Sequence, residues 1–223
     1  MALAQPEIKA VLLDLDRTLA DSRAWCMKAL DHTLVDGLGL HLEEQELDGI
    51  SMTPTRDFLA RYCHPGELDA IADLMRRNLL AYHPLLEIYP GVLAALEALR
   101  AAGLHLAVVT SQTCEESRLT RQGLNIDAYI EQWITASDVK RVKPDPEPVW
   151  VACQRLGVDP AETIMVGDAM TDLQAGRAAG ALTGAALWGS RTRQEMLDYR
   201  PDFIFEQAAD MKAALVTRQE VID

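Results

Sequence analysis

The sequence predicts an α/β protein: a parallel sheet flanked by helices, with a helical module inserted after the first strand. Three observations carry this. Short apolar, β-rich runs alternate with helical patterns along most of the chain. One block, 21–86, has helical patterns and almost no strand pattern. Aspartates and a threonine stand where apolar runs end, and a lysine stands before Pro144 further along.

The expected strands cover 8–14, 105–110, 133–135, 163–167, 182–187 and 203–205. Between them, 91–102 spaces Val92, Leu93, Leu96 and Leu99 as a helix does and stops at Gly103. The stretches 146–156 and 172–179 stop in the same way at Gly157 and Gly180. Within 21–86, helices are expected over 25–38, 42–47, 54–62 and 66–83. This gives a core of 1–20 with 87–223 and a helical insert of 21–86.

Composition narrows the class. With 223 residues, 49% hydrophobic and 25% charged, the chain suits a globular core with a smaller module. No apolar run approaches the roughly 20 residues that span a bilayer. The start, Met1-Ala2-Leu3-Ala4-Gln5-Pro6-Glu7, carries no signal-peptide pattern, so a cytoplasmic protein is expected. A net charge of -13 argues against nucleic acid as a partner and requires local cations at any anion site. Cys26, Cys63, Cys114 and Cys153 show no C-x-x-C spacing and read as reduced structural thiols.

The chemistry starts at Asp14-Leu15-Asp16-Arg17-Thr18, after the apolar run 11–13. A strand alternates faces with period two, so Asp14 and Asp16 leave its end on the same side. Like charges about 4 Å apart repel by roughly 4 kcal/mol at an effective dielectric near 20. A shared proton or a cation must offset that. Thr110 and Ser111 end a second run, Lys143 precedes Pro144, and Gly167-Asp168-Ala169-Met170-Thr171-Asp172 follows a third. In an open parallel sheet, strand carboxyl ends meet at one edge, where ligands bind. Carboxylates suit Mg²⁺, and a hydroxyl with an ammonium suits phosphate oxygens. An aspartate can attack phosphorus, and a second carboxyl can protonate the leaving oxygen and then activate water.

These four segments, in this order, resemble the four motifs of the haloacid dehalogenase (HAD) superfamily. The helical insert resembles that family's C1-type cap. Tyr89-Pro90-Gly91 and Lys143-Pro144-Asp145-Pro146 are similar to the phosphoglycolate phosphatase-like and pyrophosphatase-like branch. The resemblance implies a Rossmann-like core with strand order 5-4-1-2-3 and a Mg²⁺-dependent phosphatase acting on a small phosphorylated metabolite. It implies Asp14 as nucleophile and Mg²⁺ ligand. Asp16 would be the general acid/base, with its backbone carbonyl on the metal. Thr110 and Ser111 would bind the phosphoryl group, and Lys143 would neutralise it and Asp14. Asp168 would be a further metal ligand. Asp172 would support the metal shell through water or cap the following helix.

The family commonly has Gly where this chain has Arg17. Arg17 is expected to point into the cap cleft, either without a role or as a contact for an anionic substrate group. Inorganic pyrophosphate remains open as substrate, as does β-phosphoglucomutase-like phosphotransfer. Met52 after Gly49-Ile50-Ser51, and Cys26 at the cap hinge, count against the mutase. A non-catalytic protein that binds a phosphometabolite or a protein partner is the alternative outside enzymes, and monomer or homodimer is expected. Asp21 is expected to cap the first helix of the insert. The histidines show no ligand spacing, and Trp25, Trp133, Trp150 and Trp188 read as packing residues.

Overall fold

The run Ala-Val-Leu-Leu forms β1 (Ala10–Leu13), buried throughout, as expected of a strand covered on both faces of a parallel sheet. The computed structural model describes residues 7–50, 55–190 and 192–216. The chain divides into two compact units, Met1–Ala20 with Ile88–Asp223, and Asp21–Glu87. Two short strands, β2 (Ala20–Asp21) and β3 (Glu87–Ile88), mark where the chain passes from one unit to the other.

In the first unit, β1 is joined by β4 (His105–Val109), β5 (Gln132–Ile134), β6 (Thr163–Gly167), β7 (Leu182–Ala186) and β8 (Phe203–Phe205). All pairings are parallel, in the order β5-β4-β1-β6-β7-β8. Counting β1, β4, β5, β6, β7 and β8 as strands 1 to 6 and reading from the β8 edge, this is 6-5-4-1-2-3, the expected order with a sixth strand beside the fifth. Strand order reverses at β1, so the crevice beyond its carboxyl end is the ligand position of such sheets.

Helices α5 (Val92–Ala101), α6 (Cys114–Arg121), α7 (Glu147–Leu156), α8 (Met170–Ala179), α9 (Arg193–Asp198) and α10 (Asp210–Leu215) complete this unit. Val149, Ala152 and Cys153 of α7 and Ala175 of α8 pack on Leu12, Ala107, Val109 and Met165. Each large side chain buried there stabilises the fold by roughly 1.5–3 kcal/mol. Helix α6 is short and polar, and a capping box holds its start: Thr113 accepts from Glu116 N–H while Glu116 accepts from Thr113 N–H.

The second unit is helical: α1 (Arg23–Leu38), α2 (Glu44–Ile50), α3 (Thr55–Leu59) and α4 (Leu68–Ala81). Its core gathers Ala29, Leu30, Leu34, Leu47, Phe58, Leu59, Ile71 and Met75. Helix α3 is five residues long, shorter than the expected 54–62. Asp21 does not cap α1; it ends β2, and Ser22 holds the N-cap position without a side-chain cap bond. Gly49 and Ile50 end α2, whereas Ser51 and Met52 lie outside the described residues.

All four cysteines are free. Among the described residues, no helix is long and apolar enough to cross a membrane.

Candidate active site

Asp14 follows directly on β1, and its N–H donates to the Val166 carbonyl of β6 at 2.9 Å. This ladder bond carries strand geometry one residue past the strand. The chain then turns sharply: Leu19 and Ala20 N–H both donate to Leu15 O, and Arg17 N–H donates to Ala20 O. Arg17 stands at φ +63° in this turn. That left-handed region favours glycine.

Two residues far along the chain hold the turn. Trp188 Nε1–H donates to Thr18 O at 3.0 Å. Gly189 lies so close to Arg17 that a Cβ there would come within 1.6 Å of the Arg17 carbonyl oxygen. Neither residue has a local sequence signal for this, since the contact spans about 170 positions.

Lys143, from the loop between β5 and α7, reaches the end of β1. Its Nζ donates to Asp14 Oδ1 at 2.5 Å and to Val109 O at 2.8 Å, and stands 2.6 Å from Asp172 Oδ1. Asp168 and Asp172 arrive from the start of α8. Asp168 Oδ1 accepts from Thr18 Oγ1–H at 3.2 Å, and Arg17 Nε lies 3.9 Å from Asp168 Oδ2. Asp172 Oδ2 accepts from Ala169 N–H at 3.1 Å, so Asp172 caps α8 with one oxygen and faces Lys143 with the other. Gly167 makes room for this: a Cβ there would lie 2.2 Å from the Asp172 carboxyl carbon.

Asp14, Asp168 and Asp172 offer carboxylate oxygens that all lie within 4.8 Å of one another. The Asp16 side chain is not part of that group. Its Oδ2 accepts instead from Gln112 Nε2 at 2.7 Å. Thr110 N–H donates to Ile134 O, and its Oγ1 accepts from Gln112 N–H at 3.1 Å. Ser111, beside it, is exposed. The structure therefore brings Asp14, Lys143, Asp168 and Asp172 into direct proximity, with Arg17 against Asp168 and Asp16 against Gln112.

Charge is unbalanced here. Among the described residues, four aspartates, Asp14, Asp16, Asp168 and Asp172, stand with one ammonium and one guanidinium, leaving two negative charges if all ionise. Burial pushes the Asp14 carboxyl well above its ordinary range. Lys143 opposes this, and Asp172, Asp168 and Asp16 reinforce it. Burial and then Asp172 push Asp168 up to about 7, against Arg17, Lys143 and Thr18. Burial alone would lower Lys143, but Asp14 and Asp172 outweigh it and hold the ammonium firmly charged. Three buried oxygen donors with surplus negative charge fit a hard divalent cation, which would restore the charge balance.

Comparison with known proteins identifies the family. The chain is 30% identical over 210 residues to the pyrophosphatase PpaX of Bacillus velezensis, covering 94% of this chain and 97% of that protein. It is 31% identical over 208 residues to the PpaX of Bacillus pumilus, covering 92% and 95%. Among solved structures, a protein from Lactobacillus plantarum named as a phosphoglycolate phosphatase superposes with TM-score 0.80 at 22% identity, over 92% of this chain and 98% of that one. CbbY from Rhodobacter sphaeroides, in complex with phosphate, superposes with TM-score 0.77 at 20% identity, over 92% and 96%. At such identities the structural likeness establishes the fold. The model of the haloacid dehalogenase-like hydrolases matches residues 11–186, a span that takes in Asp14, Thr110, Lys143, Asp168 and Asp172. With the sheet order and the four strand-end segments in place, that match makes the chain a member of the haloacid dehalogenase-like hydrolase family.

Proposed function

We propose that this chain is a Mg²⁺-dependent phosphatase that hydrolyses a small phosphorylated metabolite through an aspartyl-phosphate on Asp14. The observation that carries the reading is the buried contact of Lys143 with both Asp14 and Asp172 beside Asp168. A buried lysine among three carboxylates suits a site where an anionic phosphoryl group must meet an anionic nucleophile.

In the first step the Asp14 carboxylate attacks phosphorus, and the bond from phosphorus to the leaving oxygen breaks. Asp16 delivers its proton to that oxygen. In the second step Asp16 takes a proton from water, the water oxygen attacks phosphorus, and the phosphorus–Asp14 bond breaks to release phosphate. Lys143 opposes the effect of burial on Asp14 and offsets charge on the phosphoryl oxygens. Thr110, Ser111 and Arg17 bind the phosphoryl group and the rest of the anionic substrate. Asp14, Asp168 and the Asp16 backbone carbonyl would hold Mg²⁺, with Asp172 in or beside its shell. When bound, the ion supplies positive charge against the phosphoryl oxygens. The helical unit Asp21–Glu87 serves as the cap.

A second reading, pyrophosphate as substrate, is favoured by the names of the relatives at 30% and 31% identity. Phosphate release from phosphoglycolate, p-nitrophenyl phosphate and pyrophosphate, each with Mg²⁺ and with chelator, separates the two. Release from the monoesters that needs Mg²⁺ supports the phosphatase. Release from pyrophosphate alone assigns the second reading. Equal release with chelator refutes the metal dependence.

A further inference from the structure

Gln112 stands between Thr110 and α6, and none of the four strand-end segments includes it. Each of its polar groups has a partner. The side-chain Nε2 donates to Asp16 Oδ2 at 2.7 Å, and Oε1 accepts from the buried Thr120 hydroxyl at 3.1 Å. The backbone N–H donates to Thr110 Oγ1 at 3.1 Å, and the backbone carbonyl accepts from Ala136 N–H at 2.8 Å. The amide orientation follows from the chemistry. The NH₂ end faces Asp16 Oδ2, which accepts whether the proton sits on Oδ1 or is absent, and the oxygen faces the Thr120 hydroxyl.

From this chain of bonds we infer that Gln112 is the positioning residue for the general acid of the reaction, holding the Asp16 carboxyl plane through Oδ2 while Thr120 holds Gln112. The inference rests on the phosphatase reading above. An aspartate carboxyl otherwise rotates in a broad, roughly two-fold well. With Oδ2 engaged by the amide, Oδ1 is the oxygen that hands the proton to the leaving group. The same residue serves the phosphoryl side. Its backbone N–H occupies a lone pair of Thr110 Oγ1, which leaves the hydroxyl hydrogen to point at a phosphoryl oxygen. That second bond belongs to the backbone, so a change of the Gln112 side chain separates the two effects.

General acid catalysis matters where the leaving oxygen is strongly basic and little where it departs readily as an anion. The test compares kcat/KM for phosphoglycolate, whose leaving group is an alkoxide, with that for p-nitrophenyl phosphate. This ratio reports only steps through departure of the leaving group, so the later attack of water does not enter. In Gln112→Leu, kcat/KM for phosphoglycolate should fall about 10- to 100-fold, and that for p-nitrophenyl phosphate less than about 3-fold. Thr120→Val keeps the shape beneath Gln112 and should show the same substrate-selective pattern at smaller size. A merely structural role would lower both substrates together. Equal losses on both substrates, or no loss on either in both variants, overturns the inference while wild-type activity leaves the phosphatase reading standing. A wild-type chain that releases phosphate from neither monoester refutes that reading, and the inference with it.

Discussion

Asp172 and Lys143 form an ion pair of 2.6 Å between side chains that are 1% and 3% exposed. The pair links the start of α8 to the loop after β5, and it does so with the oxygen that Asp172 does not use to cap its own helix. An isolated pair of this kind is not a source of net stability, because both ions lose their water. Removing Asp172 is another matter: Lys143 stays buried with Asp14 as its one remaining ion-paired carboxylate among the described residues, and the Ala169 N–H loses its acceptor.

Asp172→Ala should therefore cost about 3 kcal/mol or more. For a chain of this size that is a fall of roughly 6–12 °C in melting temperature. Thermal unfolding followed by circular dichroism measures it. A melting temperature within about 2 °C of wild type would mean that the pair is not holding the two segments together.

The proposed cation site carries a consequence for pH. Without metal, Asp168 titrates near about 7 in the folded protein, against an ordinary value of 3.8. The folded state then binds more protons than the unfolded state between these limits. The stability this group contributes is fully present below about pH 4 and is lost as pH rises through about 7. Asp14 shifts in the same direction. Mg²⁺ competes with protons for these oxygens, so the melting-temperature increment from millimolar Mg²⁺ over chelator should grow from about pH 5 to about pH 8. Asp168→Ala should remove most of it. An increment that is equal at the two pH values, or intact in Asp168→Ala, contradicts this.

Arg17 holds a backbone angle that favours glycine, at a cost of order 1 kcal/mol, and places a guanidinium beside Asp168. Arg17→Gly should relieve the strain without lowering the melting temperature. It should raise KM for phosphoglycolate, which carries a second anionic group, by about 3- to 10-fold while leaving KM for p-nitrophenyl phosphate nearly unchanged. Unchanged KM and kcat on both substrates would remove Arg17 from the substrate contacts.

The sheet was legible because a buried parallel strand is a short apolar run bounded by turn residues, as 10–13, 105–109 and 163–167 are. The placement of Asp14, Asp168 and Asp172 followed from it, since residues at or just beyond strand ends share one edge; Lys143, in the loop after β5, was marked only by the resemblance to the family's motifs. What stayed hidden lacks apolar periodicity or a local signal. Helix α6 is polar, and only the spacing of Thr113 and Glu116 marks its start. Helices α9 and α10 are single short segments of six residues. Trp150 reads as a packing residue, yet it is 46% exposed, with Nε1–H on Ala179 O. Gln112, Trp188 and Gly189 act on residues of the Asp16–Thr18 turn about 100 or more positions away, which no pattern in one sequence reports.

The central claim is that Asp14 carries the phosphoryl group. Acid quenching during turnover on a good monoester, followed by peptide mapping by mass spectrometry, tests it most directly. The account predicts one phosphoryl increment on the wild-type peptide that contains Asp14, with no increment and at least about 1,000-fold slower turnover in Asp14→Asn. A phosphoryl group found on another residue, or wild-type turnover by Asp14→Asn, would contradict it.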